Sequence, residues 1–306
     1  MADNSQLALS YVPETTYGVT PATPAFKRTR IAGDPDFSIT SQYVTSNEIR
    51  PDRNVSDTTL VSREASGSFP FELSFGSFDD FLEALLESSW TTNVLKNGVT
   101  LKSFTFEKII KEAANSFYRR FRGQCVNTMS LAIQASQMIT GQFTFIGKDA
   151  VTDTAIITGA TYIDPNSNPV INAANNVAAL SITGLNSPIV RALNLSISNN
   201  LRQKMAIGDL FSKGVGSGRC EVTGSLEMYF ADSSILDLAL SDVYTDLTFT
   251  LGGVSNKKYV FVLPKIKLTN VREMGGDNNG DVMVQADFTA VYSATDAASI
   301  KITRTP

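Results

Sequence analysis

Four groups of residues have the types that chemistry uses. Asp79-Asp80 is an adjacent carboxylate pair, and Lys213-Gly-Val-Gly-Ser-Gly218 has the glycines of a phosphate cradle. Asp277-Asn-Asn-Gly-Asp281 carries the oxygen donors of a calcium loop, and Arg119, Arg120 and Arg122 form one basic cluster. None of them completes a site. The glycine run lacks a closing Gly-Lys-Ser/Thr and a following helix pattern. The acidic loop lacks a bidentate Glu at its far end and flanking helices, so it reads as a hairpin turn. Asp79 and Asp80 open a helical pattern, where the helix dipole favours carboxylates. Three arginines in a chain of net charge −4 are too few for a nucleic-acid surface. They read as partners for acids of a neighbouring subunit.

Histidine is absent, which removes the commonest general base and metal ligand. The two cysteines, Cys125 and Cys220, form no CxxC and read as free, partly buried thiols. No catalytic residue, metal site or cofactor is expected, and the chain reads as no enzyme.

The element that would have to position any site is a strand running into a helix. In Gly67 to Phe75 the apolar residues Phe69, Phe71, Leu73 and Phe75 alternate, as on one face of a strand. Phe78, Phe81, Leu82, Leu85 and Leu86 then follow helical spacing, with Ser77 as the expected N-cap. The unit recurs as the strand Gly224–Phe230 and the short helix Ile235–Leu240, about 155 residues later. Three flanking matches keep the same order. Phe37-Ser-Ile39 resembles Leu195-Ser-Ile197, Phe104-Thr-Phe106 resembles Tyr259-Val-Phe261, and Met138–Thr144 resembles Met283–Thr289.

The expected organisation is therefore mainly β, with two tandem copies of one domain at 36–148 and 191–306, each with a short flanking helix. Residues 149–190 read as a linker with short strands. Residues 1–35 contain Pro13, Pro21 and Pro24 and read as an extended arm ordered by lying on something else. The polar, charged stretch around 46–64 reads as a long exposed hairpin or loop, and Lys213–Gly218 as a flexible surface loop.

With 42% hydrophobic and 18% charged residues, the 306-residue chain is globular and low in charge. Its opening Met-Ala-Asp-Asn-Ser-Gln has neither the basic nor the apolar region of a signal peptide, so synthesis in a cytoplasm is expected. No apolar run reaches the roughly 18 residues a membrane helix needs.

Three stretches together, Tyr11–Pro24, Ser46-Asn-Glu-Ile-Arg-Pro-Asp-Arg53 and Phe69–Leu86, resemble the phage tail tube proteins (major tail proteins) of long non-contractile-tailed bacteriophages. Phe143–Lys148 and Leu195–Leu201 continue the likeness more loosely. The resemblance implies a β-sandwich or barrel with a flanking helix. It also implies a structural role: self-assembly into stacked rings that form a hollow tube for genome delivery, in a virion tail assembled in the host cytoplasm. The implied partners are further copies of the chain, a tape measure protein, tail terminator and distal tail proteins, and passing double-stranded DNA, with no membrane.

By that likeness, the arm and the 46–64 stretch are candidates for contacts between rings or subunits. They bring in Tyr11, Glu14, Tyr17, Glu48, Arg50, Asp52 and Arg53, beside Arg119, Arg120 and Arg122. Two copies per chain favour a trimeric ring with pseudo-sixfold symmetry over a hexamer, and low charge favours a polar to acidic channel. The competing reading is a β-sandwich adhesin or carbohydrate-binding module. A single tryptophan and the missing signal peptide weigh against it.

Overall fold

The strand that opens the repeated unit, Thr58–Glu72, runs into the helix Asp79–Leu85 as its change of period predicts. Phe69 and Phe71 point inward from the strand, and Phe81, Leu82, Ala84 and Leu85 from the helix. Phe81 sits at the centre of the first half's core. Its ring lies within 6 Å of those of Tyr11, Phe69, Phe104, Phe106, Phe143 and Phe145. Burying so many aromatic faces together supplies both area and edge-to-face pairing.

The computed structural model describes residues 7–112, 115–253, 256–275 and 278–306. Asp277, in the acidic loop, lies outside them. The first half contains β1 (Ala8–Pro13), β2 (Ala25–Arg28), β3 (Asp36–Thr45), β4 (Thr58–Glu72), α1 (Asp79–Leu85), β5 (Val94–Lys96), β6 (Phe104–Glu112), β7 (Asn115–Gln134), β8 (Thr140–Gly147) and β9 (Asp149–Asp153). Next come β10 (Thr161–Ile163), β11 (Val177–Ile182), β12 (Val190–Ser198), β13 (Arg202–Lys204), β14 (Gly214–Gly216), β15 (Glu221–Tyr229) and α2 (Ser234–Leu240). The chain closes with β16 (Thr245–Gly252), β17 (Lys258–Met274), β18 (Met283–Ala290) and β19 (Lys301–Thr305). The molecule is mainly β, as expected.

Six antiparallel pairings occur twice in the same order. In the first half β1 pairs with β6, β3 with β4, β4 with β8, β6 with β7, β7 with β8 and β7 with β9. In the second half β11 pairs with β16, β12 with β15, β15 with β18, β16 with β17, β17 with β18 and β17 with β19. Each half's helix follows the second strand of its β3–β4 or β12–β15 pair.

β7 is 20 residues long and serves two sheets. Its first part pairs with β6 and β9, and its second part with β8 and β12. The β7–β12 pairing joins the halves edge to edge, from Thr128↔Ser198 to Gln134↔Ala192. One sheet therefore runs β3-β4-β8-β7-β12-β15-β18-β17 through both halves. A smaller contact, β5 with β19, also crosses between them.

Several expectations change. Residues 8–13 are not an arm. β1 forms a strand between β2 and β6, and Leu9, Tyr11 and Val12 are buried. The prolines exclude a helix, but the intervening residues pair as readily as any strand. Residues 149–190 contribute β9 to the first half, β10 beside β2 and β11 to the second half. Lys213–Gly218 contains β14, paired with β13. Ser77 makes no cap hydrogen bond to α1. Its hydroxyl bonds Ser74 and Asn166 instead. Finally, Phe104–Phe106 lies in β6, whose counterpart in the recurring pairings is β16, whereas Tyr259–Phe261 lies in β17. Every strand with alternating aromatics looks alike, so that match paired strands of different position. The other three matches join strands of equivalent position, although the pairings set Phe37 level with Ile197 and so place that match two residues out of register.

Candidate functional site

The long sheet has two unlike faces. Its inner face carries Phe37, Phe69, Phe71, Met129, Leu131, Ile133, Phe143, Leu193, Leu195, Ile197, Val222, Leu226, Ala286 and Phe288, all buried. Alternation sends their neighbours to the other face. There lie Ser66 and Ser68 of β4, Thr140, Gln142 and Thr144 of β8, and Thr128, Ser130 and Gln134 of β7. The same face continues with Asn194 and Ser196 of β12, Thr223 and Ser225 of β15, and Asp287 and Thr289 of β18. Part of it is an open hollow bordered by Ser130, Asn194, Ser196, Thr223, Asp287 and Thr289.

Hydroxyl and amide groups dominate this face, and many are bonded across strands. Thr128 and Thr144 share a hydrogen bond of 2.6 Å. Gln142 donates to Ser68 at 3.3 Å, and Asn194 to Ser225 at 3.3 Å. The cations at its rim are engaged. Arg191 meets Glu227 at 3.2 Å, Arg272 donates to Gln285 and Lys267 pairs with Asp242. Such a surface is hydrated and offers a polyanion little fixed positive charge. The sequence did not single it out, because Ser and Thr are spread along the whole chain. Only the pairing shows that they share one side.

The residues proposed from the sequence fall into three places. Tyr11, Glu14 and Tyr17 are held by the chain's own interior. The Tyr11 hydroxyl donates to Asp80 at 2.9 Å, and its pKa is pushed far up by burial and by the Asp80 charge. The Glu14 carboxylate collects the Gly18 and Gly123 amides and the Ser103 and Thr105 hydroxyls at 2.7–2.8 Å. Tyr17 bonds Ser212 at 3.0 Å, and burial lifts its pKa to about 12. Tyr11 lies in β1 and Glu14 and Tyr17 in the turn region after it, and all of these contacts are made within one molecule.

The arginine cluster is likewise satisfied internally. Arg120 donates to the fully buried Glu107 at 2.7 Å and to Asp153 at 3.2 Å. Arg122 grips Asp149 through two bonds of 2.7 Å. Arg119 lies 5.1 Å from the Phe121 ring centre. β6 supplies Glu107 and β9 supplies Asp149 and Asp153 beside β7, so no neighbour's carboxylate is required for Arg120 or Arg122.

Glu48, Arg50, Asp52 and Arg53 sit in the 46–57 loop that joins β3 to β4, all exposed. Arg50 grips Asp52 through bonds of 3.0 and 2.8 Å, which lowers the Asp52 pKa to about 2. Ile49 is 97% exposed at this tip, beside the exposed Val44 and Val55. Arg53 holds a positive φ of 62° that closes the turn.

Asp79 and Asp80 act as docking groups. Asp79 accepts from Tyr259 at 2.5 Å and from Arg304 at 2.5 Å, both in the second half. Lys27 meets Asp80 at 2.5 Å. The described residues contain no cluster of three or more potential metal ligands, and no described helix is long and apolar enough to cross a membrane.

The long sheet ends in two open edges. Among the described residues β3 pairs only with β4, and from Lys267 onward β17 pairs only with β18. An exposed edge is a template for another strand unless it is blocked. The chain thus combines a continuous polar sheet face, two open edges on that sheet and a long exposed loop between β3 and β4.

No curated protein matches the chain. The family model described as phage tail tube protein matches residues 4–290 of the 306. The match spans both halves and the polar face between them, and the chain belongs to the phage tail tube protein family.

Proposed function

We propose that copies of this chain associate into rings, that the rings stack into the tail tube, and that the polar sheet face lines the channel for double-stranded DNA. The observation that carries this reading is the unbroken eight-strand sheet with hydroxyls and amides on one side. A duplex sliding past Ser, Thr, Asn and Gln releases few counterions and finds no strong stopping place.

The chain is a tandem duplication in this reading, and the recurrence of six strand pairings supports that. Two equivalent halves per chain make three chains equivalent to six single domains, so the ring is a trimer with approximate sixfold symmetry. A head-to-tail contact closes into such a ring when its rotation divides a full turn. The exposed 46–57 hairpin, with Glu48, Arg50, Asp52 and Arg53, reaches the adjoining ring. At its ends the tube meets terminator and distal tail proteins, and a tape measure protein occupies it during assembly.

Negative-stain images of concentrated protein, with rotational symmetry analysis of end-on views, test this directly. The expected result is rings or tubes with three chains each. A monodisperse monomer at high concentration sinks the reading, and six chains per ring sinks the trimer.

A further inference from the structure

The joint that already exists inside the chain supplies the pattern for the joint between chains. Resting on the ring reading above, we propose that the open edge of β17 pairs antiparallel with β3 of a second copy, with Phe37 opposite Leu268. This contact would repeat the β7–β12 seam.

The register follows from the pairings. Phe143 of β8 and Phe288 of β18 occupy equivalent places, each followed by Thr. Phe143 lies between Phe69 of β4 and Met129 of β7. Phe288 lies between Gly224 of β15 and Leu268 of β17. Met129 is thus equivalent to Leu268, and Phe69 to Gly224. Two residues earlier, Gly67 pairs with Phe37 and Val222 pairs with Ile197, which makes Phe37 equivalent to Ile197. Inside the chain Ile197 faces Met129. Between chains Phe37 faces Leu268, Asp36 faces Thr269 and Ser38 faces Lys267.

The inner and outer faces agree in this register. Phe37 and Leu268 are both buried on the core side, whereas Asp36 and Thr269 are exposed on the polar side. The polar face then passes from one copy to the next without a break, as it passes from β7 to β12.

The helices point to the same joint independently. α1 is covered, because Tyr259 and Arg304 hold Asp79, and Asn199 donates to the Leu85 carbonyl at 2.8 Å. All these covering residues belong to the second half. α2 has no such cover. Only Ile235 is buried, and Leu240 is 84% exposed among the exposed Phe230, Val243 and Tyr244. α2 packs on β17, so a first half docked at the β17 edge arrives beside this apolar surface. Strand addition at an open edge, with apolar burial alongside, is an established mode of association.

Paired cysteines read the seam. In the chain the Asn199 amide donates to the Asn127 carbonyl, which puts Ser196 and Ser130 at a pair without mutual backbone bonds. Their counterparts Asp36 and Thr269 take the same kind of pair, in which Cα atoms approach to about 4.5 Å, within disulfide reach. Asp36→Cys/Thr269→Cys, oxidised after assembly, is expected to give covalent dimers and trimers on non-reducing gels that dithiothreitol removes. Ser38→Cys/Lys267→Cys is a second pair in the same register, should the first assemble poorly. The single variants and the slipped pair Ser38→Cys/Thr269→Cys are expected to stay monomeric on the gel. Rings in the microscope with monomer bands from both in-register pairs overturn the seam and leave the ring reading intact. Cross-linking by the slipped pair overturns the register. Absence of rings from the unmodified chain removes the ring reading, and the seam with it.

Discussion

Glu107→Gln tests whether the buried charge cluster holds the 149–163 segment on the first half. Glu107 is fully buried and accepts from Arg120 at 2.7 Å and from the Tyr162 hydroxyl at 2.6 Å. Arg120 also reaches Asp153 and donates to the Ala155 carbonyl at 2.7 Å. Tyr162 stacks on Phe26 with ring centres 5.6 Å apart. Four strands, β6, β7, β9 and β10, thus meet at one carboxylate or its partner. An amide keeps the shape: its oxygen can still accept from Arg120 and its NH2 can donate to the Tyr162 hydroxyl oxygen, but it leaves the Arg120 charge with only the half-exposed Asp153. Breaking a buried pair on one side costs about 3–5 kcal/mol, and the surviving acid puts this case near 3. With an unfolding entropy of about 2.1 cal/mol/K per residue, the 306-residue chain loses about 5 °C in Tm. Calorimetry of the parent, Glu107→Gln and Glu107→Gln/Arg120→Met reads the effect. The double variant should lose less than the sum of the single losses, because no uncompensated charge remains. A Glu107→Gln shift under about 1 °C would refute the reasoning, since only a weak surface pair behaves so.

Burial also makes the chain sensitive to alkali. The Cys125 thiol is raised from 9.0 to about 12, Cys220 from 9.0 to about 11 and Tyr17 from 10.0 to about 12, chiefly by desolvation. A raised folded pKa contributes stability that is complete below the unfolded value and is lost as pH climbs toward the folded one. The urea midpoint should therefore hold steady up to about pH 9 and fall beyond it; a flat profile to about pH 11 contradicts this. At about pH 8 a thiol reagent should label neither cysteine until the chain unfolds. Ile49→Asp at the hairpin tip should leave stability within about 0.5 kcal/mol and ring formation intact, yet shorten or abolish tubes in negative stain. Normal-length tubes would exclude this tip from ring-to-ring contact. Ser130→Lys, Ser196→Lys and Thr223→Lys together should make assembled tubes retain duplex DNA, with a salt slope of about 0.9 per lysine that meets a phosphate. Unchanged retention would move the channel off this face.

What could be read from the sequence was local. The β4–α1 unit shows itself through a change of period within a dozen residues, and periods need no knowledge of distant partners. Tyr11 is the opposite case. Its fate depends on β6, almost a hundred residues away, and prolines announce only what the segment is not. Arg120 looks like a surface cation beside Arg119 and Arg122. Glu107, its partner, is placed by the register between β6 and β7, which alternation leaves open by even steps. The mistaken match of Phe104 with Tyr259 has the same origin, since a two-residue pattern fits any inward-facing strand. The polar face was hidden for a different reason. Serine and threonine are abundant throughout, and only the order of eight strands collects them.

β7 has a mechanical consequence. It is a single strand that begins in one sheet and ends in another, so the two layers are stitched by peptide bonds where sandwiches ordinarily rely on side-chain contact. A layer cannot slide over its neighbour without dragging the shared backbone. A bending load on the outside of such a wall is handed to the inside along covalent threads.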